Sequence, residues 1–187
     1  MKINSSLIVS IAIVSLVVGL LGGYFISPSY QQTMYDEETM GLGTADRFVD
    51  LRYLNQMATH HRGAILLAEQ IKDKTKRPEL KELANTILAG EPKLINELYE
   101  WKQNWYKDSR QVKDPIVANL GPANENVDLR FLNALIAHHE SGIKMTKEIR
   151  AKSSRAEVLD NADAVENFLN SSLTSLQGWR KEWFNVE

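Results

Sequence analysis

DLRYLNQMATHH, residues 50–61, returns as DLRFLNALIAHH at residues 128–139, 78 positions later. The same offset carries WKQNWY (101–106) onto WRKEWF (179–184) without a gap. Two separate blocks matched in one register mark an internal duplication. Each copy reads as two helices, 46–73 and 78–107 in the first and 127–152 and 155–184 in the second. Pro78 suits a first helical turn, where its missing N–H leaves nothing unpaired. SRAE, Ser154 to Glu157, has the spacing of a capping box. Pro92, inside the second helix, is expected to kink it. Between the copies, DSRQVKDPIVANLGPANEN (108–126) reads as a linker by its Pro, Gly and Asn content. No strand pattern of any length appears outside the N-terminal segment. Two helical hairpins of similar length bury their apolar faces best against each other, so the fold class is all-α, a four-helix bundle. The linker exceeds the usual short bundle loop and is long enough to run the length of the bundle, as in ferritin-like folds.

Ahead of the duplication lies LIVSIAIVSLVVGLLGGYFI, Leu7 to Ile26, without a charged residue. A helix of ~20 residues spans the roughly 30 Å hydrocarbon core of a bilayer. Lys2 precedes it and Asp36 to Glu38 follow, which predicts a cytoplasmic N-terminus and an extracytoplasmic remainder, periplasmic or extracellular. A cleaved signal peptide is the alternative. Its apolar core is usually shorter, and no clear Ala-x-Ala site follows. The chain divides accordingly into an anchor (1–29), a tether (30–45), a first repeat (46–107), the linker (108–126) and a second repeat (127–187). The net charge of −2 offers no basic field for nucleic acid. The absence of cysteine removes disulfides, thiolate nucleophiles and cysteine-based zinc sites. No protein partner is indicated by any motif.

The chain has four histidines, His60, His61, His138 and His139, in two matched pairs. Counting about 100° per residue from Leu51, the apolar stripe of the first helix centres near 240°. His60 falls at about 180° and His61 at about 280°, one on each side of that centre, and the second pair falls at the same angles in its own helix. Imidazoles on an apolar face require a hydrogen-bond or metal partner. Two readings follow: a composite metal site of up to four imidazoles, or core histidines satisfied by carbonyls, carboxylates or each other. Each pair stands near the middle of its helix, so the pairs come level whichever way the helices run.

Several chemistries are excluded by spacing. A di-iron carboxylate site needs Glu-x-x-His, but Met57, Ala58, Leu135 and Ile136 stand three residues before the histidines. His-Glu-x-x-His is absent, which argues against a zinc protease, and no spacing nominates a triad. A phosphotransfer histidine would face solvent. Catalytic turnover is therefore not expected. What remains is imidazole with thioether, since Met57 is a helical neighbour of His60 and His61. Thioether plus imidazole favours copper, Cu(I) above all, while imidazole alone also accepts zinc. Asp50 and Asp128 read as first-turn carboxylates that favour the helix dipole. Trp101 with Trp105, and Trp179 with Trp183, read as core and end-packing pairs.

Asp50, Tyr53, Met57, His60, His61 and Ala64 resemble the pattern D-x-x-F-x-x-x-M-x-x-H-H-x-x-A of the bacterial "domain of unknown function 305" family. The resemblance covers most of residues 46–184. It implies a ferritin-like fold, a secreted or membrane-anchored location and an association with copper. The family pattern also places a methionine six residues after the second histidine. That position is Leu67 in the first copy and Met145 in the second, and the Met57 position is Leu135 in the second, so each copy keeps one methionine of two. The resemblance thus implies an extracytoplasmic copper-binding protein; the candidate metal ligands are His60, His61, His138, His139, Met57 and Met145, and the expected role is sequestration or delivery of copper, with zinc as the alternative metal. A non-catalytic structural or partner-binding bundle is the rival reading.

Overall fold

The computed structural model describes residues 41–186. The apolar segment Leu7–Ile26 lies outside the described residues. Among the described residues no helix is long and apolar enough to cross a membrane. The elements are α1 (Val49–Ile71), α2 (Pro78–Tyr106), α3 (Val127–Arg150) and α4 (Ala156–Phe184), with no strand among the described residues. Hairpins α1–α2 and α3–α4 are the two copies, and they meet along α1 and α3.

The helix starts repeat with the sequence. Asp46 Oδ1 accepts the Phe48 N–H, and Asn124 Oδ1 accepts the Asn126 N–H, which turns the chain into α1 and α3. Thr75 Oγ1 accepts the Arg77 N–H, and Ser153 Oγ accepts the Arg155 N–H, ahead of α2 and α4. The expected capping box therefore does not form. The hydroxyl in use is Ser153, one residue before the predicted Ser154, and α4 begins after Arg155 with no side-chain cap on its first turn. Pro78 occupies the first turn of α2, and α2 continues through Pro92 without a break. Both second helices end on a left-handed residue, Lys107 at φ 55° and Asn185 at φ 53°.

Contacts between the hairpins fix their direction. Asp50, at the start of α1, pairs with Arg155 before α4 at 3.2 Å, and Asp128, at the start of α3, pairs with Arg77 before α2 at 3.4 Å. Each arginine also lies 4.1 Å from a tryptophan ring centre, Arg155 on Trp105 and Arg77 on Trp183. Asp50 and Asp128 thus do more than favour a helix dipole: they tie one copy to the other. Since α4 starts where α3 ends, α1 and α3 run antiparallel. The linker runs beside α1, with Asp114 on Arg62, the Ala118 carbonyl accepting from Gln70 and the Gly121 carbonyl accepting from Lys74. It crosses the bundle as the chain length allowed.

The packed unit reaches back to Leu42, which is fully buried like its counterpart Leu120. Arg52 donates to the Leu42 carbonyl and Arg130 to the Leu120 carbonyl. The duplication therefore extends into segments read as tether and linker.

Candidate metal site

All four histidines are buried in the middle of the bundle. His60 of α1 and His138 of α3 face each other across the seam, their ring centres 4.9 Å apart and inclined at 67°. Neither ring has a hydrogen-bond partner at Nδ1 or Nε2. An unsatisfied buried polar atom costs about 1–3 kcal/mol. Two adjacent rings with four such atoms are an expensive pair to maintain for packing alone. Gly142, one turn after His138, makes room for the arrangement. A Cβ there would stand 2.5 Å from His60 Cε1 and Nε2 and 2.6 Å from Leu169 Cδ1. Its counterpart in the first copy is Ala64.

The outer members of the pairs differ. His61 Nδ1 lies 2.5 Å from Glu91 Oε2 of α2, and its Nε2 is buried without a partner. His139 has both nitrogens occupied, Nδ1 donating to the Leu135 carbonyl at 2.8 Å and Nε2 accepting from Ser172 Oγ of α4 at 2.8 Å. The ring centres of His60 and His61 are 6.2 Å apart, those of His138 and His139 6.3 Å. Four imidazoles at one level were expected to point into one site. The structure brings His60 and His138 together, leaves His61 one free nitrogen and ties His139 back to its own hairpin. Among the described residues no three His, Asp or Glu side chains stand ready in metal-binding geometry.

Burial dominates the electrostatics. His60 and His138 are held well below the ordinary histidine range, first by burial and then by the neighbouring imidazoles. Burial pushes His139 down to about 3. Neutral rings in a dry core are the form that binds metal, since protons compete for the same lone pair.

Met57 is fully buried and Met145 nearly so. Met57 precedes its histidines on α1 and Met145 follows its own on α3. The antiparallel pairing sets both toward the end where α1 begins, with Leu67 and Leu135 toward the other. Glu91 and Ser172 were missed in the sequence. A signal was present for Glu91: it interrupts the buried stripe Leu80, Ala84, Ile87, Glu91, Ile95, Leu98 at helical spacing.

A paired helical bundle with buried, unpartnered imidazoles at the seam of its two halves defines a class of metal-binding candidates. The chain belongs to the family described as a domain of unknown function (DUF305), which matches residues 50–126 and 128–187. Among solved structures, CopM in its Cu(I)-bound form is similar with a TM-score of 0.65 and 27% identity, covering 72% of this chain and 97% of that one. CopM in its Cu(II)-bound form gives a TM-score of 0.62 and 25% identity over 72% and 97% of the two chains. An uncharacterised protein, L153 of Acanthamoeba polyphaga mimivirus, is 34% identical over 67 residues, 36% of this chain. That match spans 41% of the viral protein's length.

Proposed function

We propose that this chain is a membrane-anchored extracytoplasmic protein that binds a soft transition metal, copper before zinc, and sequesters or delivers it without turnover. The observation that carries the reading is the facing pair His60 and His138, neutral, buried and unpartnered at all four ring nitrogens. These nitrogens suit a borderline-to-soft ion that gains from neutral donors in a dry site. CopM, the similar fold, has been solved with Cu(I), Cu(II) and silver, which supports the choice of ion. His60 and His138 would hold the metal, with the free Nε2 of His61 as a third nitrogen. Met57 and Met145 would supply thioethers from the end where α1 begins. His139 belongs to the fold. The uncharged stretch Leu7–Ile26 supports the anchor, and Lys2 ahead of it supports the outward placement of the domain.

Titration of the full-length chain in detergent with Cu(I), Cu(II) and Zn(II) tests this reading. Uptake by the parent is expected, with near-complete loss in His60→Ala alone, because the site is shared between copies. Half the capacity surviving that change would mean two independent sites. The satisfied state of His139 favours a second reading, a structural bundle with core histidines, and under it the parent takes up no metal.

A further inference from the structure

The two copies repeat the contacts that clasp the hairpins together, but not those beside the histidines. Glu91 in the first copy corresponds to Leu169 in the second, and Ser172 in the second corresponds to Leu94 in the first. Glu91 is 3% exposed, and among the described residues no arginine or lysine is paired with it; its partner is His61 Nδ1. The other buried charge of the core, Lys102, lies toward the far end of α2, held by Asn55 and Asp108. Glu166 also packs on α3, but it is paired with Arg150 at 2.7 Å and shares a hydrogen bond with Thr146. Among the described residues, the histidine layer therefore contains one carboxylate whose partner is an imidazole and not an arginine or lysine.

A carboxylate on the far nitrogen of a metal-binding histidine fixes both its tautomer and the direction of its lone pair. If Glu91 accepts the Nδ1 proton, His61 Nε2 carries the lone pair. That nitrogen is the one left without a partner. The carboxylate also sets the charge. A buried ion is tolerated when its charge is matched nearby. Neutral imidazoles and thioethers supply none. One carboxylate matches a monovalent cation, whereas a divalent ion keeps an unbalanced positive charge.

We propose that Glu91 is the positioning residue of this site: through His61 it presents Nε2 as a ligand, and its single negative charge fits the site to a monovalent soft cation such as Cu(I) or Ag(I). The inference rests on the metal-binding reading above and adds to it the ligand's orientation and the class of ion.

The test uses the full-length protein, Glu91→Gln and Glu91→Leu, the second being the residue type at the matched position 169. Imidazole nitrogen NMR of the metal-free protein, with His61 assigned through His61→Gln, is expected to show the proton on Nδ1. A proton on Nε2, or on both nitrogens, overturns the positioning role whether or not metal binds. Ag(I) titration then separates charge from geometry. Glu91→Gln keeps a hydrogen-bond acceptor but loses the charge, and its affinity for Ag(I) is expected to fall about 10- to 100-fold with the Nδ1 tautomer retained. Glu91→Leu loses both and is expected to bind more weakly still. Unchanged Ag(I) affinity in Glu91→Gln, with helix content intact by circular dichroism, overturns the charge role. Zn(II) binding to the parent as tightly as Ag(I) overturns the monovalent preference. A parent that takes up neither ion refutes the metal-binding reading itself, and the tautomer measurement still decides the position of His61.

Discussion

The two copies agree where they hold the bundle together and differ where they meet the histidines. Asp50–Arg155–Trp105 and Asp128–Arg77–Trp183 are the same clasp built twice, each spanning both copies. Lys102 on Asn55 and Arg180 on Asn133 repeat in the same way, with the cation changed and the contact kept. Beside the histidines the copies part: Glu91 against Leu169, Leu94 against Ser172, Ala64 against Gly142. A frame under mutual constraint has kept its symmetry, while the side chains that set the polarity of the centre have diverged.

The largest effect is expected from the buried histidines found in both copies, His60, His138 and His139. An unfolded histidine protonates near ~6.5, whereas His60 and His138 resist protonation well below that and His139 does so down to about 3. As pH falls below ~6.5, protons bind the unfolded chain first. Stability is then complete above that pH and declines below it, by ~1.4 kcal/mol per pH unit for each such histidine. Urea unfolding at pH 7, 6 and 5 measures the slope, and His139→Asn is expected to reduce it. A stability independent of pH over that interval would contradict a neutral core.

The next effect sharpens the difference between Gly142 and Ala64. Glycine to alanine inside a helix ordinarily stabilises by about 1 kcal/mol. Gly142→Ala is expected to destabilise instead, by about 1–3 kcal/mol, because the new methyl meets His60 and Leu169, and to weaken metal uptake with it. Ala64→Gly is expected to cost about 1 kcal/mol and leave uptake intact. Thermal melts and Ag(I) titration of the two variants make the comparison, and a stabilised Gly142→Ala would show that the His60 ring can give way.

The smallest effect concerns a matched exchange away from the site. Tyr53 donates to Asn161 Oδ1 at 2.7 Å, and the corresponding positions of the other pairing hold Phe131 and Leu83. Tyr53→Phe is expected to cost about 1 kcal/mol. Adding Asn161→Leu, which copies the apolar combination, is expected to recover part of it. Denaturant midpoints of the two single variants and the double variant give the coupling, and simple additivity would show that the two positions are independent.

The duplication, the four helices and the burial of His60, His61, His138 and His139 were legible because a fixed offset and a 3.6-residue period are both properties of the chain read in order. The linker was long enough to cross the bundle, but spacing left the sense of α1 against α3 open, and the contacts between the hairpins fix it as antiparallel. Contacts between hairpins were less accessible. Asp50 and Asp128 carry an ordinary first-turn signal that conceals their arginine partners, although Arg77 and Arg155 stand at the same offset. Glu91 lies between Gly90 and Pro92, a setting that suggests a surface bend. Its place on the buried stripe becomes visible only when α2 is taken straight through the proline. Which of two adjacent imidazoles turns across the seam and which turns back depends on the residues facing it from α2 and α4, and no spacing within α1 or α3 encodes that.

That Glu91 has no matching carboxylate in the second copy has a consequence for why the halves share one polypeptide. A twofold assembly of two identical hairpins places any central side chain twice, so its count of carboxylates is always even: none, or a repelling pair. Fusion of the halves into one chain lets each drift separately, so that an odd count can arise. The linker from α2 to α3 keeps the two halves together at every concentration, and it also permits a centre with a charge of minus one.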